Sequence, residues 1–250
     1  MVIMNNQKEI KLIALDMDGT LLNENGEVSA ANRETIKAAQ AKGVHVICST
    51  GRSIITSRDY IKDLNLSSYH IAVNGSEIWD ENGELILRKM IDWEHISWMY
   101  NLAKEYRVHY WAAATDRVWR REMPDDIENH TWLKFGYEIP DDNIRGQIIK
   151  QLQNKGDLFE ISNSSPINLE INTKGVNKAF GVEVVCRQLG ISMGEVLAIG
   201  DSLNDLSMIK ACGIGVAMGN AQDAVKKEAD WITETNREDG VAVAIRRWVL

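Results

Sequence analysis

No stretch of this 250-residue chain stays apolar long enough to cross a bilayer, and its opening MVIMNNQKEI has neither the basic start nor the apolar core of a secretion signal. Both absences point to a cytoplasmic protein with no membrane partner. Basic charge is in deficit: 28 Lys and Arg against 36 Asp and Glu leave a formal net charge of −8. A polyanionic backbone would be repelled, which excludes nucleic acid as a partner but leaves room for small anions beside a metal. Cysteine is scarce, and Cys48, Cys186 and Cys212 are odd in number and scattered through apolar segments. They read as free buried thiols, not as a disulfide or a metal site. A dinucleotide signature is missing too, because GIGVAMG (213–219) spaces its last two glycines by three residues and precedes a strand core. No internal repeat or low-complexity tract is present.

What remains is an ordinary soluble composition, 44% hydrophobic and 26% charged. Its organising stretch is KLIALDMDGTLL, Lys11 to Leu22, in which an apolar strand runs into Asp16, Asp18 and a glycine turn. Two like charges so close are stable only if a cation sits between them or one is protonated, which points to a hard metal. An EF-hand is ruled out, since Leu21 stands where that loop needs glycine.

The chain then alternates in β and α. A helix opens at Ser29 and closes at Gly43, a strand covers 44–50, a helix 54–64 and a short strand 70–74, which implies parallel strands. Asn82-Gly83 between two strand-like runs predicts a hairpin. Beyond it the pattern changes to helices near 94–106 and 143–154 and strands near 109–114, 117–122, 159–162 and 167–171. Such grouping predicts an α+β unit inserted at 83–176 into an α/β unit formed by 1–82 and 177–250. The insert holds Trp93, Trp98, Trp111, Trp119 and Trp132, expected chiefly as the core of a small sheet. After it, a helix at 177–189, the strand EVLAIGD and further β and α segments resume the alternation. GDSLND (200–205) again ends an apolar strand in acids, so Asp16, Asp18, Asp201 and Asp205 would form a four-carboxylate cluster if the two strands are neighbours. Mg²⁺, which takes carboxylates, waters and a phosphate oxygen, suits such a cluster.

LDMDGTLL, STGR, the lysine of GVNKAF and GDSLNDLSMI, in this order, resemble the four motifs of the haloacid dehalogenase superfamily of phosphatases. The insert resembles the α/β (C2-type) cap of its Cof-type subgroup. The resemblance implies a Rossmann-like, doubly wound parallel sheet with an inserted α+β cap, and a Mg²⁺-dependent phosphatase acting on small soluble phosphate monoesters such as sugar phosphates. It implies Asp16 as nucleophile, Asp18 as general acid and base, and Thr50, Gly51, Lys178 and Asn204 around the phosphate. The metal ligands would be Asp16, Asp201 and the Asp18 carbonyl, supported by Asp205. Asn74, before Gly75, matches a step at the hinge into the cap, near the substrate. Ser202 departs from a glycine common in this loop. Lys174 is the rival to Lys178, and Arg52 fits a surface ion pair equally well. The same nucleophile would serve a phosphomutase, and an Asp-phosphorylated regulatory protein is a third reading, disfavoured by the cap, which serves to exclude water. The expected assembly is a monomer or a weak homodimer, and the natural substrate is not legible.

Overall fold

The computed structural model describes residues 9–250, so most of the stretch inspected for a secretion signal lies outside the described residues. In chain order the elements are β1 (Leu12–Leu15), α1 (Ala30–Ala41), β2 (His45–Ser49), α2 (Ile54–Asp63), β3 (His70–Ala72), β4 (Glu77–Trp79) and β5 (Leu85–Arg88). There follow α3 (Trp93–Tyr106), β6 (His109–Ala114), β7 (Val118–Arg120), β8 (Trp132–Glu138), α4 (Asp142–Asn154), β9 (Phe159–Ser162) and β10 (Asn168–Thr173). The last are α5 (Lys178–Leu189), β11 (Val196–Gly200), α6 (Leu206–Ala211), β12 (Ile214–Ala217), α7 (Asp223–Glu228), β13 (Trp231–Ile232) and α8 (Gly240–Trp248).

An eight-stranded sheet has the order β13-β12-β11-β1-β2-β3-β4-β5, parallel except for the antiparallel β3-β4-β5 edge. Its central strands are apolar throughout because both faces are covered. Ile13 and Leu15 pack with Ile36 of α1 and Ile245 of α8, while Leu12 and Ala14 pack with Val182 and Val185 of α5. The chain runs outward from β1 through β2 and β3, returns at β11 and runs outward the other way. The reversal therefore lies between β1 and β11, paired from Leu12↔Val196 to Leu15↔Ile199, and ligands of open α/β sheets bind outside the strand ends at such a point. The four-carboxylate reading required this adjacency.

A second sheet, β7-β6-β8-β10-β9, is antiparallel throughout. One face carries Ala112, Phe135, Tyr137 and Ile171 against Ile96 and Met99 of α3 and Ile148 of α4. The other face, with Lys134, Gly136, Glu138 and Glu170, carries no such cover. This is the α+β insert expected, with one omission. The expected strands leave out β8, although it is the sheet's central strand and pairs with both β6 and β10. The hairpin around Gly83 stays whole within the large sheet, because β5, beyond the expected boundary at 82, pairs with β4.

Candidate active site

Two loops leave the large sheet side by side. Asp16, directly after β1, is buried, and its N–H donates to Ile199 O of β11. Asp201, directly after β11, accepts from Thr20 Oγ1 and Ser202 Oγ, each at 2.9 Å. It approaches so closely that a Cβ on Gly19 would fall 2.6 Å from its Oδ2, and Gly19 holds φ +80°, so that position needs glycine twice over. Lys178, the first residue of α5, has no exposed surface and donates to Asp16 Oδ1 and Asp205 Oδ1, each at 2.5 Å. Asp205 Oδ2 accepts the N–H groups of Asp201 and Ser202 at 2.9 Å, so this carboxylate ties down the loop instead of capping α6. Lys174, the rival lysine, is half exposed and pairs with Asp157, away from this cluster.

Carboxylate oxygens of Asp16, Asp201 and Asp205 lie within 4.8 Å of one another. Burial raises the Asp16 carboxyl well above its ordinary value, Asp205 adds to the rise, and Lys178 opposes it. Burial and then Asp205 likewise push Asp201 up to about 6. Burial alone would pull Lys178 down, but Asp16 and Asp205 more than offset this and its ammonium is held charged. A single lysine thus faces three acids. The residual repulsion and the all-oxygen donor set fit a hard divalent cation between Asp16 and Asp201.

The expected fourth carboxylate is elsewhere. The Asp18 side chain is 54% exposed and makes a two-pronged ion pair with Arg52, Nε to Oδ2 at 2.7 Å and Nη2 to Oδ1 at 2.5 Å. The cluster is therefore three acids, and Asp18, which the resemblance implies as general acid and base, is half exposed and ion-paired. Arg52, left out of the expected site, lies at its mouth. Thr50 is fully buried at the end of β2, where its Oγ1 accepts the Arg52 N–H, and Gly51 follows with its carbonyl pointing to the second sheet.

That carbonyl accepts Lys134 Nζ of β8 at 2.7 Å, and the same ammonium pairs with Glu170 of β10 at 3.1 Å. Glu170 also accepts Asn74 Nδ2 at 2.6 Å and Ser164 Oγ at 2.8 Å. Burial would raise its carboxyl, but Lys134, Asn74 and Ser164 together hold it below the ordinary value. Asn74, at φ 58°, spends its amide on Glu170 and Asn172, and its Oδ1 accepts from Asn204. Here it joins the two sheets. Asn204 lines the cleft, and its Oδ1 is buried with no hydrogen-bond partner among the described residues. Lys134 and Glu170 were missed, though TWLKFGYEI (131–139) alternates apolar and polar residues in a way that marks a half-buried strand.

Between the sheets lies a cleft of about 640 Å³, within the size of small-molecule sites, with Asp16, Asp18, Arg52 and Asn204 on the floor and Trp111, Lys134 and Glu138 on the roof. No helix among the described residues is long and apolar enough to cross a membrane.

Known proteins resemble this chain in sequence and fold. The haloacid dehalogenase-like hydrolase family matches residues 13–144 and 121–245. The 5-amino-6-(5-phospho-D-ribitylamino)uracil phosphatase YcsE of Bacillus subtilis (strain 168) is 51% identical over 250 residues, all of both chains. Among solved structures, a haloacid dehalogenase-like hydrolase from Bacteroides thetaiotaomicron aligns with TM-score 0.79 at 30% identity, over 96% of this chain and 99% of its own. The HAD subclass IIB sugar phosphatase BT4131 aligns with TM-score 0.84 at 25% identity, over 95% and 98%. With the buried carboxylates at the sheet reversal and the second sheet above them, the chain belongs to the haloacid dehalogenase superfamily as a Cof-type phosphatase, a phosphoric monoester hydrolase.

Proposed function

We propose that this phosphatase is Mg²⁺-dependent, works through an aspartyl phosphate on Asp16, and takes 5-amino-6-(5-phospho-D-ribitylamino)uracil as its substrate. The observation that carries the chemistry is the buried trio Asp16, Asp201 and Asp205 gathered around Lys178 at the point where the sheet reverses. The substrate assignment rests on the full-length 51% identity to an enzyme named for that ester.

Asp16 and Asp201, with the Asp18 main-chain carbonyl, would hold the ion, while Asp205 is already saturated by Lys178 and two backbone N–H groups. Bound there, Mg²⁺ would screen the carboxylates and draw charge from the phosphoryl oxygens. Asp16 attacks phosphorus in line, which splits one difficult hydrolysis into two displacements. Lys178, Thr50, the Gly51 backbone and Asn204 hold phosphate oxygens, and the orphaned Asn204 Oδ1 would gain a partner from a protonated phosphate oxygen. Asp18 protonates the leaving alcohol and then takes a proton from water, so substrate must first part it from Arg52. The large sheet forms the catalytic core, and 83–176, less β5, forms a cap that closes over the substrate and shuts out bulk water while Asp16 attacks. Buried thiols at Cys48 and Cys186 suit a reducing cytoplasm.

Phosphate release from this ester and from p-nitrophenyl phosphate tests the proposal. EDTA should abolish turnover of both and added Mg²⁺ restore it, and Asp16→Asn should lower kcat by at least about 10³-fold. Full activity of Asp16→Asn overturns the mechanism. Turnover of the aryl ester without the ribitylamino ester overturns the substrate alone.

A further inference from the structure

The uncovered face of the cap sheet is polar apart from Trp111 and the small apolar pair Ala113 and Val118 beside it. Arg120, Trp111, Gly136 and Glu170 form a single row across it, each paired in register with the next. The other cap tryptophans go elsewhere: Trp132 is in the cap core, Trp98 and Trp119 pack against that core, and Trp93 is exposed. Trp111 alone among them lines the cleft.

Gly136 explains how its ring is placed. Glycine in mid-strand weakens a sheet and gives nothing to pack, and Gly136 has no positive φ that would demand it. A Cβ at that position would fall 2.2 Å from Cε2 and Cζ2 of the Trp111 indole. The ring therefore occupies the space above Gly136, laid across the strand instead of standing off the sheet, on the face turned toward the cleft. Glu138 lies one step further along the same face of β8, with Arg120 on the other side of the ring, and both line the cleft.

The spacing along β8 gives a scale. Lys134 touches the carbonyl of Gly51, in the loop assigned to the phosphate, and each two-residue step on this face advances about 6.8 Å. The ring row is one step from that contact and Glu138 two. A ligand with phosphate at the floor thus reaches the indole through a chain of a few carbons.

We propose that Trp111, seated over Gly136, is the platform on which a planar heteroaromatic leaving group stacks, with Arg120 donating to its carbonyl oxygens and Glu138 accepting from its N–H groups. These residues determine specificity and take no part in the bond cleavage. The proposal deepens the substrate reading above and rests on it for the position of the phosphate.

Two esters with the same polyol phosphate, with and without the ring, test it: 5-amino-6-(5-phospho-D-ribitylamino)uracil and ribitol 5-phosphate. Trp111→Leu should lower kcat/KM for the first by at least about 10-fold, the scale of base–aromatic stacking, and change the second by less than about 3-fold. Trp111→Phe should retain most of the activity on the ring-bearing ester, and Glu138→Gln should lower that activity alone. Calorimetry with the phosphate-free 5-amino-6-(D-ribitylamino)uracil gives a readout independent of turnover, and Trp111→Leu should weaken its binding by a similar factor. Equal losses on both esters, or none on the first, with unchanged binding of the ring compound, overturn the platform and leave the phosphatase standing. A wild type that turns over neither ester yet binds the ring compound through Trp111 overturns the substrate assignment and leaves the platform standing.

Discussion

The floor and the roof of the cleft are built by opposite means. On the floor, parallel strands end together, and whatever residue follows each strand is delivered to one place. Asp16 and Asp201 meet because β1 and β11 are neighbours, although 185 positions separate them, and Lys178, where α5 begins, pairs with Asp16 and Asp205. On the roof nothing ends. Side chains enter the cleft from mid-strand, every second residue, from β7, β6, β8 and β10. On the floor Asp16, Lys178 and Asp205 are buried and tied to one another, whereas on the roof the buried Lys134 and Glu170 pair while Trp111, Arg120 and Glu138 are at least partly open to solvent. A site of the first kind tolerates almost no substitution. One of the second kind can change residue by residue while the sheet beneath it stays the same.

Perturbing one surface and then the other sharpens that contrast. The largest effect should come from the floor: Lys178→Met leaves the buried Asp16 and Asp205 without their cation and should cost about 3 kcal/mol or more in denaturant unfolding, with near-complete loss of kcat. On the roof, Lys134→Met strands Glu170 and should cost about 2 kcal/mol, raising KM more than it lowers kcat. The double change Lys134→Met with Glu170→Leu should recover most of that stability, since a matched apolar pair leaves no stranded charge. A floor variant that loses only KM, or a roof variant that loses only kcat, would erase the distinction.

The smallest effect is in the pH dependence. An acid raised on folding adds stability below its ordinary value, near 3.8 for Asp201, and loses it as pH climbs through about 6. Relative to Asp201→Asn, the metal-free wild type should therefore lose about 2 kcal/mol as pH rises from about 4 to about 7. Mg²⁺ should reverse the order by stabilising the wild type at neutral pH and leaving the variant unchanged. Unfolding curves at several pH values, with and without Mg²⁺, measure this.

The same contrast decides what was legible in the sequence. Strand-end acids announce themselves, because an apolar run broken by DMDG or GDSLND is a local pattern, and the floor's acids were named from such runs, whereas Arg52 was not. Roof residues carry no local mark. Lys134 and Glu138 in TWLKFGYEI look like the solvated side of any amphipathic strand, and Gly136 interrupts the run, so β8 itself was passed over. Trp111 has the composition of a core residue, and only its partner across the strand, Gly136, reveals otherwise. The expected place of the Asp18 side chain in the carboxylate cluster failed for a different reason. Spacing shows that two acids are close along the chain but not which way each points, and Arg52 is what turns Asp18 aside.

The wide separation of β1 from β11 also bears on how the protein is made. On the ribosome, β2 can join β1 soon after both emerge, but the other flank of β1 stays bare until Val196 has been added, roughly 20 seconds later at about 10 residues per second. The strands of the cap all fall between His109 and Thr173 and find their partners sooner. The nascent chain thus carries a finished lid before it has an enzyme to cover, with the apolar edge at Ile13 and Leu15 as the surface a chaperone would meet in the interval.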